Sequence, residues 1–226
     1  MESPFAKRMA CVTSPIRELV ATAKQLEKSG KHVLYANTGD PLRYDFDPPP
    51  SVVKGLMKAV KNRHNYYADS QGELDCREAI SKREKRVNNI HVDPNNIIIT
   101  DGVSEALSFL TSILIESQSE ALLPGPSYPP YITRIEFFDG RCNFYKTIEE
   151  DGWQPSVENI EKKITDKTKF LLVINPNNPT GAVYSKKTLK EIINLAGQHN
   201  LTLVSDEIYD LLTFDARLVS ISSLCK

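Results

Sequence analysis

An α/β fold, a three-layer sandwich with helices on both faces of a mostly parallel sheet, is what this sequence predicts, on two observations. Apolar runs of strand length alternate with helical stripes from residue 51 onward. Clusters of Gly, Pro, Asn and Asp follow several of those runs, at the carboxyl ends of strands where parallel sheets gather their ligands.

The first element is a helix between Ser14 and Ser29: Ile16, Leu19, Val20, Ala23 and Leu26 recur at helical spacing and Gly30 stops the run. His32 to Ala36 predicts a short strand entering the turn-rich Asn37-Thr38-Gly39-Asp40-Pro41, and Pro48-Pro49-Pro50 makes a stiff link. A boundary is expected there, between residues 1–49 and 50–226. Helices follow near Ser51 to Lys61 and Gly72 to Val87, then a strand from Asn96 to Thr100 and a helix from Val103 to Glu116. Further strands are expected at Glu120 to Leu123, Asn143 to Lys146, Lys169 to Asn175 and Thr202 to Ser205. Their helices lie near Pro129 to Phe137, Ser156 to Ile164 and Ser185 to His199.

With 226 residues, 40% hydrophobic and 25% charged, the chain can bury a substantial core. A formal net charge of -1 gives no reason to expect nucleic acid, and the basic run Lys82 to Arg86 is explained as one solvated helix face. The apolar run Phe170 to Ile174 is far shorter than the roughly 20 residues a membrane helix needs. The N-terminus lacks an apolar signal core, and Cys11, Cys76, Cys142 and Cys225 are scattered, away from any metal-ligand spacing with histidine. A soluble, cytoplasmic protein with reduced thiols and no metal site is expected.

Four segments carry residues suited to chemistry. Gly102-Val103-Ser104 opens a helix after a strand, where free backbone N–H groups and the positive end of the dipole suit an anion; an ordinary helix start has the same donors. Tyr128, in a proline-braced segment, suits stacking on a flat heteroaromatic or plain core packing. Asn178 stands in Asn175-Pro176-Asn177-Asn178-Pro179-Thr180-Gly181, as a rigidly held amide or a common turn residue. Asp206 ends an apolar strand, with Tyr209 three positions on; a carboxylate there needs a partner, whether a ligand cation, an arginine or a helix cap. Neither GxGxxG nor GxxxxGK[ST] occurs, so the usual nucleotide-binding glycine fingerprints are missing.

In this order, Tyr67 with Gly72, Gly102-Val103-Ser104, Tyr128, Asn178, Asp206 and Tyr209, the chain resembles the class I/II aminotransferases of fold type I. The strings HNYYADSQG, PGPSYPPY, VINPNNPTGAVY and SDEIYD are most similar to the alanine aminotransferase branch. The resemblance implies pyridoxal 5'-phosphate as cofactor, with its phosphate on Gly102, Val103 and Ser104 and its ring on Tyr128. It further implies that Asp206 accepts the ring-nitrogen proton and that Asn178 and Tyr209 bond the phenolic oxygen. Tyr67 would reach a neighbouring subunit's phosphate, hence a homodimer, and Gly39 would touch the substrate carboxylate. Substrates would be an amino acid and a 2-oxo acid, with alanine and 2-oxoglutarate as the expected pair.

The same resemblance implies residues 1–49 as an N-terminal arm and small-domain segment and 50–226 as an incomplete cofactor-binding large domain. The Schiff-base lysine has no counterpart, since Lys226 lacks the expected Ser-Lys context. Both family arginines, two strands of a seven-stranded sheet and the C-terminal small domain would lie beyond residue 226. The chain alone is therefore expected to be inactive, and to be poorly stable unless a complementing C-terminal part completes the sheet. The alternative is a non-catalytic, truncated paralogue that binds the cofactor or pairs with a full-length relative.

Overall fold

The computed structural model describes residues 4–12, 15–36, 39, 41–43, 46–215 and 217–225. They fall into two compact units, one comprising the described residues of 14–73 and the other those of 1–13 and 74–226. The units divide at 13/14 and 73/74. The Pro48 to Pro50 run leads into a helix, because proline's fixed φ suits a helix's first turn and Pro50 takes that place.

The smaller unit holds α1 (Pro15–Lys28) and α2 (Pro50–Lys61). Between them the expected strand at His32 to Ala36 does not form: among the described residues the segment has no ladder partner, and it lies instead along α1, where Leu19, Val20 and Ala23 share a groove with Val33, Leu34 and Tyr35. The Tyr35 hydroxyl donates to Glu27 Oε2 at 3.0 Å.

The larger unit runs α3 (Leu74–Asn88), α4 (Gly102–Leu114), β1 (Glu120–Gly125), α5 (Pro129–Phe137), β2 (Arg141–Ile148), β3 (Gln154–Pro155), α6 (Val157–Lys163), β4 (Thr168–Ile174), α7 (Lys186–Gln198) and β5 (Thr202–Asp206). The five strands lie in the order β3-β2-β1-β4-β5. All pairings are parallel except that of β2 with the short β3, which the sequence pattern did not indicate. A two-residue strand has no period to read.

Side chains alternate across the sheet, so each strand feeds two cores. Leu122, Leu171 and Val173 pack on one face with Ile160 of α6 and Leu189 and Ile192 of α7. Ala121, Leu123, Phe170, Leu172 and Ile174 pack on the other with Leu107 of α4 and Tyr131 and Ile135 of α5. Helix starts are set locally: Ser156 Oγ accepts from Asn159 N–H and Ser185 Oγ from Thr188 N–H, so two N-caps fix α6 and α7.

The strand expected from Asn96 to Thr100 is the second correction. A 3-10 turn occupies Pro94–Asn96, and residues 97–100 carry no ladder. Ile97 has extended dihedrals, φ -112 and ψ 131, yet among the described residues no strand lies alongside to bond it. Ile98 accordingly remains more than half exposed.

Where α5 turns into β2, Gly140 leaves no room for a side chain. A Cβ there would lie 2.6 Å from Ile115 Cγ2, 2.9 Å from Ile135 Cγ2 and 3.1 Å from the Ile135 carbonyl. Both isoleucines are buried and branched, so the neighbours have little freedom to yield. Gly140→Ala is expected to destabilise the larger unit by about 1–3 kcal/mol, read as a lower urea midpoint. An unchanged midpoint would show that this corner relaxes freely.

Candidate functional site

β1 pairs with β2 on one side and β4 on the other, so the chain reverses its direction of sheet growth between β1 and β4. The loops leaving their carboxyl ends diverge there and open a crevice. A cavity of about 210 Å³ lies at this end of the sheet. Val103, Ser104, Tyr128, Asn178, Asp206 and Tyr209 all line it, and Leu107, Pro130, Ile174 and Ile208 complete its apolar wall.

Each polar group arrives from a different element. Asp206 is the last residue of β5, paired in register with Ile174 of β4. One of its carboxylate oxygens accepts the Tyr131 hydroxyl at 2.9 Å and the other accepts the Ile208 N–H at 3.1 Å. Its side-chain partners among the described residues are therefore a phenol and a turn amide, not an arginine. Tyr131 was not anticipated from sequence. Its signal was its place three residues after Tyr128, which puts both rings on one side of α5; the rings meet edge to face at 72° with centroids 6.5 Å apart.

Asn178 is carried by a turn whose backbone is fixed from beneath. Asn177, buried, accepts from Thr180 N–H and Thr180 Oγ1 through its side-chain oxygen and donates Nδ2 to the Tyr184 hydroxyl at 3.2 Å. Asn175 Oδ1 accepts from Tyr184 N–H at 2.9 Å. These bonds satisfy most of the polar groups that the buried strand end removes from water; Asn175 Nδ2 is the exception, buried without a hydrogen-bond partner among the described residues. Above them, Asn178 Nδ2 approaches the Tyr209 hydroxyl at 3.4 Å, a long contact.

The α4 start differs in detail from the expectation. Gly102 takes φ +71, a left-handed conformation that favours glycine, and its N–H is already bonded to the Thr100 carbonyl at 2.8 Å. Asp101 N–H donates to Glu105 Oε2 at 2.6 Å. Gly102 therefore shapes the turn without lining the cavity, and Val103 and Ser104 remain as first-turn donors with no carbonyl one turn back. Gly39 and Tyr67 belong to the smaller unit, where both are exposed, Tyr67 completely. Asn37, Thr38, Asp40 and Lys226 lie outside the described residues.

Beneath the site, burial raises the phenol of Tyr131 well above its ordinary value of 10.0, with the Asp206 charge adding to the effect. Burial likewise raises Tyr145 and Tyr184, and it pushes the Cys142 thiol up to about 12. The protonated Tyr131 can thus donate to Asp206 across the neutral range. In each case the folded state holds the proton more tightly than the unfolded chain. The corresponding stability is fully present below the ordinary thiol and phenol values of 9.0 and 10.0 and is lost as pH climbs through the raised ones. Urea midpoints are expected to be insensitive to these groups from pH 7 to 9 and to fall steeply above pH 10 (about one unit past the unfolded thiol). A flat alkaline profile would contradict the burial of these phenols.

Among the described residues no helix is long and apolar enough to cross a membrane. The family model for "Aminotransferase class I and II" matches residues 37–224. Among curated proteins, the alanine aminotransferase of Mycobacterium tuberculosis (strain ATCC 25618 / H37Rv) is 36% identical over 204 residues, covering 89% of this chain and 47% of that protein. The glutamate-pyruvate aminotransferase AlaA of Escherichia coli (strain K12) is 37% identical over 193 residues, covering 85% and 47%. Among solved structures, an alanine aminotransferase from Pyrococcus furiosus superposes with a TM-score of 0.96 at 47% identity, covering 98% of this chain and 56% of that one. The chain spans about half the length of the curated relatives it matches.

Proposed function

Because the chain belongs to the class I and II aminotransferase family, we propose that its cavity is the pyridoxal 5'-phosphate site of a transaminase acting on a small amino acid. Alanine with 2-oxoglutarate is the pair we assign, in keeping with the names of the relatives at 36% and 37% identity.

The single observation that carries this reading is the sharing of one cavity by a carboxylate, a tyrosine ring, an amide with a second phenol, and a helix start. That donor set fits the group. Val103 and Ser104 N–H face a phosphate, helped by the α4 dipole. Tyr128 offers a ring face. Asn178 and Tyr209 bond a phenolic oxygen. Asp206, held by Tyr131, would accept a charge-assisted hydrogen bond from a protonated ring nitrogen and so favour the cationic ring. When bound, the cofactor supplies an electron sink for the substrate's α carbon. Gly102 acts through the turn it makes. In the whole protein Tyr67 reaches a second subunit's phosphate, which makes a homodimer, and Gly39 meets the substrate carboxylate. Residues 1–49 serve as arm and small-domain segment and 50–226 as the cofactor-binding domain.

Titration with pyridoxal 5'-phosphate, followed by absorbance and by quenching of Trp153, tests the reading. Saturable binding of one equivalent, weakened by Tyr128→Ala, is expected. The loss of base–aromatic stacking sets the weakening at about five- to a hundredfold. Linear, non-saturating absorbance up to millimolar cofactor (the order at which specific sites fill) would sink it.

A further inference from the structure

We propose that Arg83 is a positioning residue for Tyr209: its guanidinium pins Asp210, the next residue in the chain, and so holds the turn that presents the Tyr209 phenol to Asn178. The role of the phenol rests on the cofactor reading above; the brace itself does not.

Arg83 belongs to the basic run Lys82 to Arg86, expected to be a solvated face. Lys82 fits that expectation, its ion pair being with Glu78 one helical turn away. Arg83 departs from it. Its Nη2 is ion-paired with the Asp210 carboxylate, 127 residues on, and its Nη1 with Glu84. Glu84 is in turn fixed by Asn88 Nδ2 at 2.6 Å, so the guanidinium is oriented from its own helix before it meets the turn. α3 is itself a firm post. Arg77 donates to the Pro94 carbonyl at 2.9 Å and Ser81 Oγ to the Val92 carbonyl at 2.6 Å.

Past Glu207, few bonds among the described residues hold the turn. Asp206 caps its start through Ile208 N–H, Asp210 N–H bonds the Glu207 carbonyl, and Leu212 N–H bonds the Tyr209 carbonyl. All three bonds are local. At the start of the turn Glu207 Oε1 also accepts from Ser205 Oγ at 2.8 Å and, from farther along the chain, from Ile221 N–H at 3.0 Å. Beyond Glu207 the long Asn178–Tyr209 contact and the Arg83 pair tie the turn to distant elements. Ile208, Leu211, Leu212 and Phe214 are 58%, 75%, 63% and 94% exposed, so apolar packing does not anchor the segment. The Asp210 side chain is only 18% exposed and the Arg83 side chain 35%, which places the pair where solvent screening is reduced. Arginine suits the task because its planar fork serves Glu84 and Asp210 together, which a lysine ammonium does less well.

The test has two arms on the unaltered 226-residue chain and its variants. In the first, without cofactor, amide hydrogen exchange is followed by mass spectrometry. Arg83→Gln is expected to speed exchange in peptides covering residues 207–213 by about five- to tenfold while peptides from β4 keep their rates. The reversed pair, Arg83→Asp with Asp210→Arg, is expected to recover most of that protection. In the second arm, with pyridoxal 5'-phosphate added, Arg83→Gln should shift the absorbance of bound cofactor in the same direction as Tyr209→Phe, and the double variant should shift it no further. Unchanged exchange in 207–213, acceleration spread equally over β4, or additive spectral shifts would each overturn the brace. If the unaltered chain binds no cofactor, the functional reading fails, and the exchange arm alone decides on Arg83.

Discussion

Asp206→Asn is expected to lower the affinity for pyridoxal 5'-phosphate by about ten- to a hundredfold, the loss that follows when a charge-assisted hydrogen bond becomes a neutral one. The substitution preserves volume, and its one side-chain oxygen can keep the Ile208 N–H, now bonded at 3.1 Å. The amide Nδ2 takes the place of the oxygen that accepts the Tyr131 hydroxyl at 2.9 Å, and the phenol can turn its hydrogen away and accept instead. Fold and cavity shape should therefore survive, and only the partnership with a cationic ring nitrogen should suffer. Parallel equilibrium titrations of both proteins, with far-UV circular dichroism as the folding control, decide it. Equal affinities would mean that the carboxylate faces something other than the cofactor. It would then be read as the turn cap that its bond to Ile208 already makes it.

The second large effect belongs to the core. Phe170 lies on β4 in register with Ala121 of β1 and Thr202 of β5, fully buried, with a small alanine beside it to make room for its ring. Phe170→Ala is expected to cost about 3–5 kcal/mol, the sum of lost apolar burial and the cavity left at a position where neighbouring strands cannot collapse. That is a large share of the roughly 5–15 kcal/mol that stabilises an ordinary domain. The urea transition should move by more than about 1 M or lose its cooperativity. Phe214→Ala is the matched control. The same ring is 94% exposed there, and its removal should change stability by less than about 0.5 kcal/mol. Similar costs at the two positions would show that the sheet core is not organised as described.

The parallel sheet, its helices and most of the cavity wall were legible beforehand because each has a local signature. α2 through α7 fall within about two residues of their expected bounds, which is the scatter of helix ends themselves. A helical stripe closes its hydrogen bonds within its own segment, so the sequence that shows the period also contains the partners. Strands do not have that property. His32 to Ala36 and Asn96 to Thr100 have the composition of strands and Glu120 to Leu123 scarcely more of it, yet only the last acquired neighbours on both sides. The basic run shows the same limit for charge. Five residues reading Lys-Arg-Glu-Lys-Arg give no hint that the second reaches an aspartate 127 positions away.

By itself the sequence determined which segments end in chemistry-bearing loops and which side chains those loops carry: Tyr128 after β1, Asn178 after β4, Asp206 and Tyr209 at the end of β5 and just beyond it. Strand length, turn chemistry and the position of polar residues at apolar run ends are all properties of neighbours in the chain. Only the tertiary structure decided that Tyr131 donates to Asp206, that Arg83 pins Asp210, that Gly102 spends its N–H on Thr100, and that two strand-like segments stay outside the sheet. Each of those outcomes is a pairing, and a pairing is fixed by which group arrives within about 3 Å when the chain packs, a distance that spacing along the sequence does not encode.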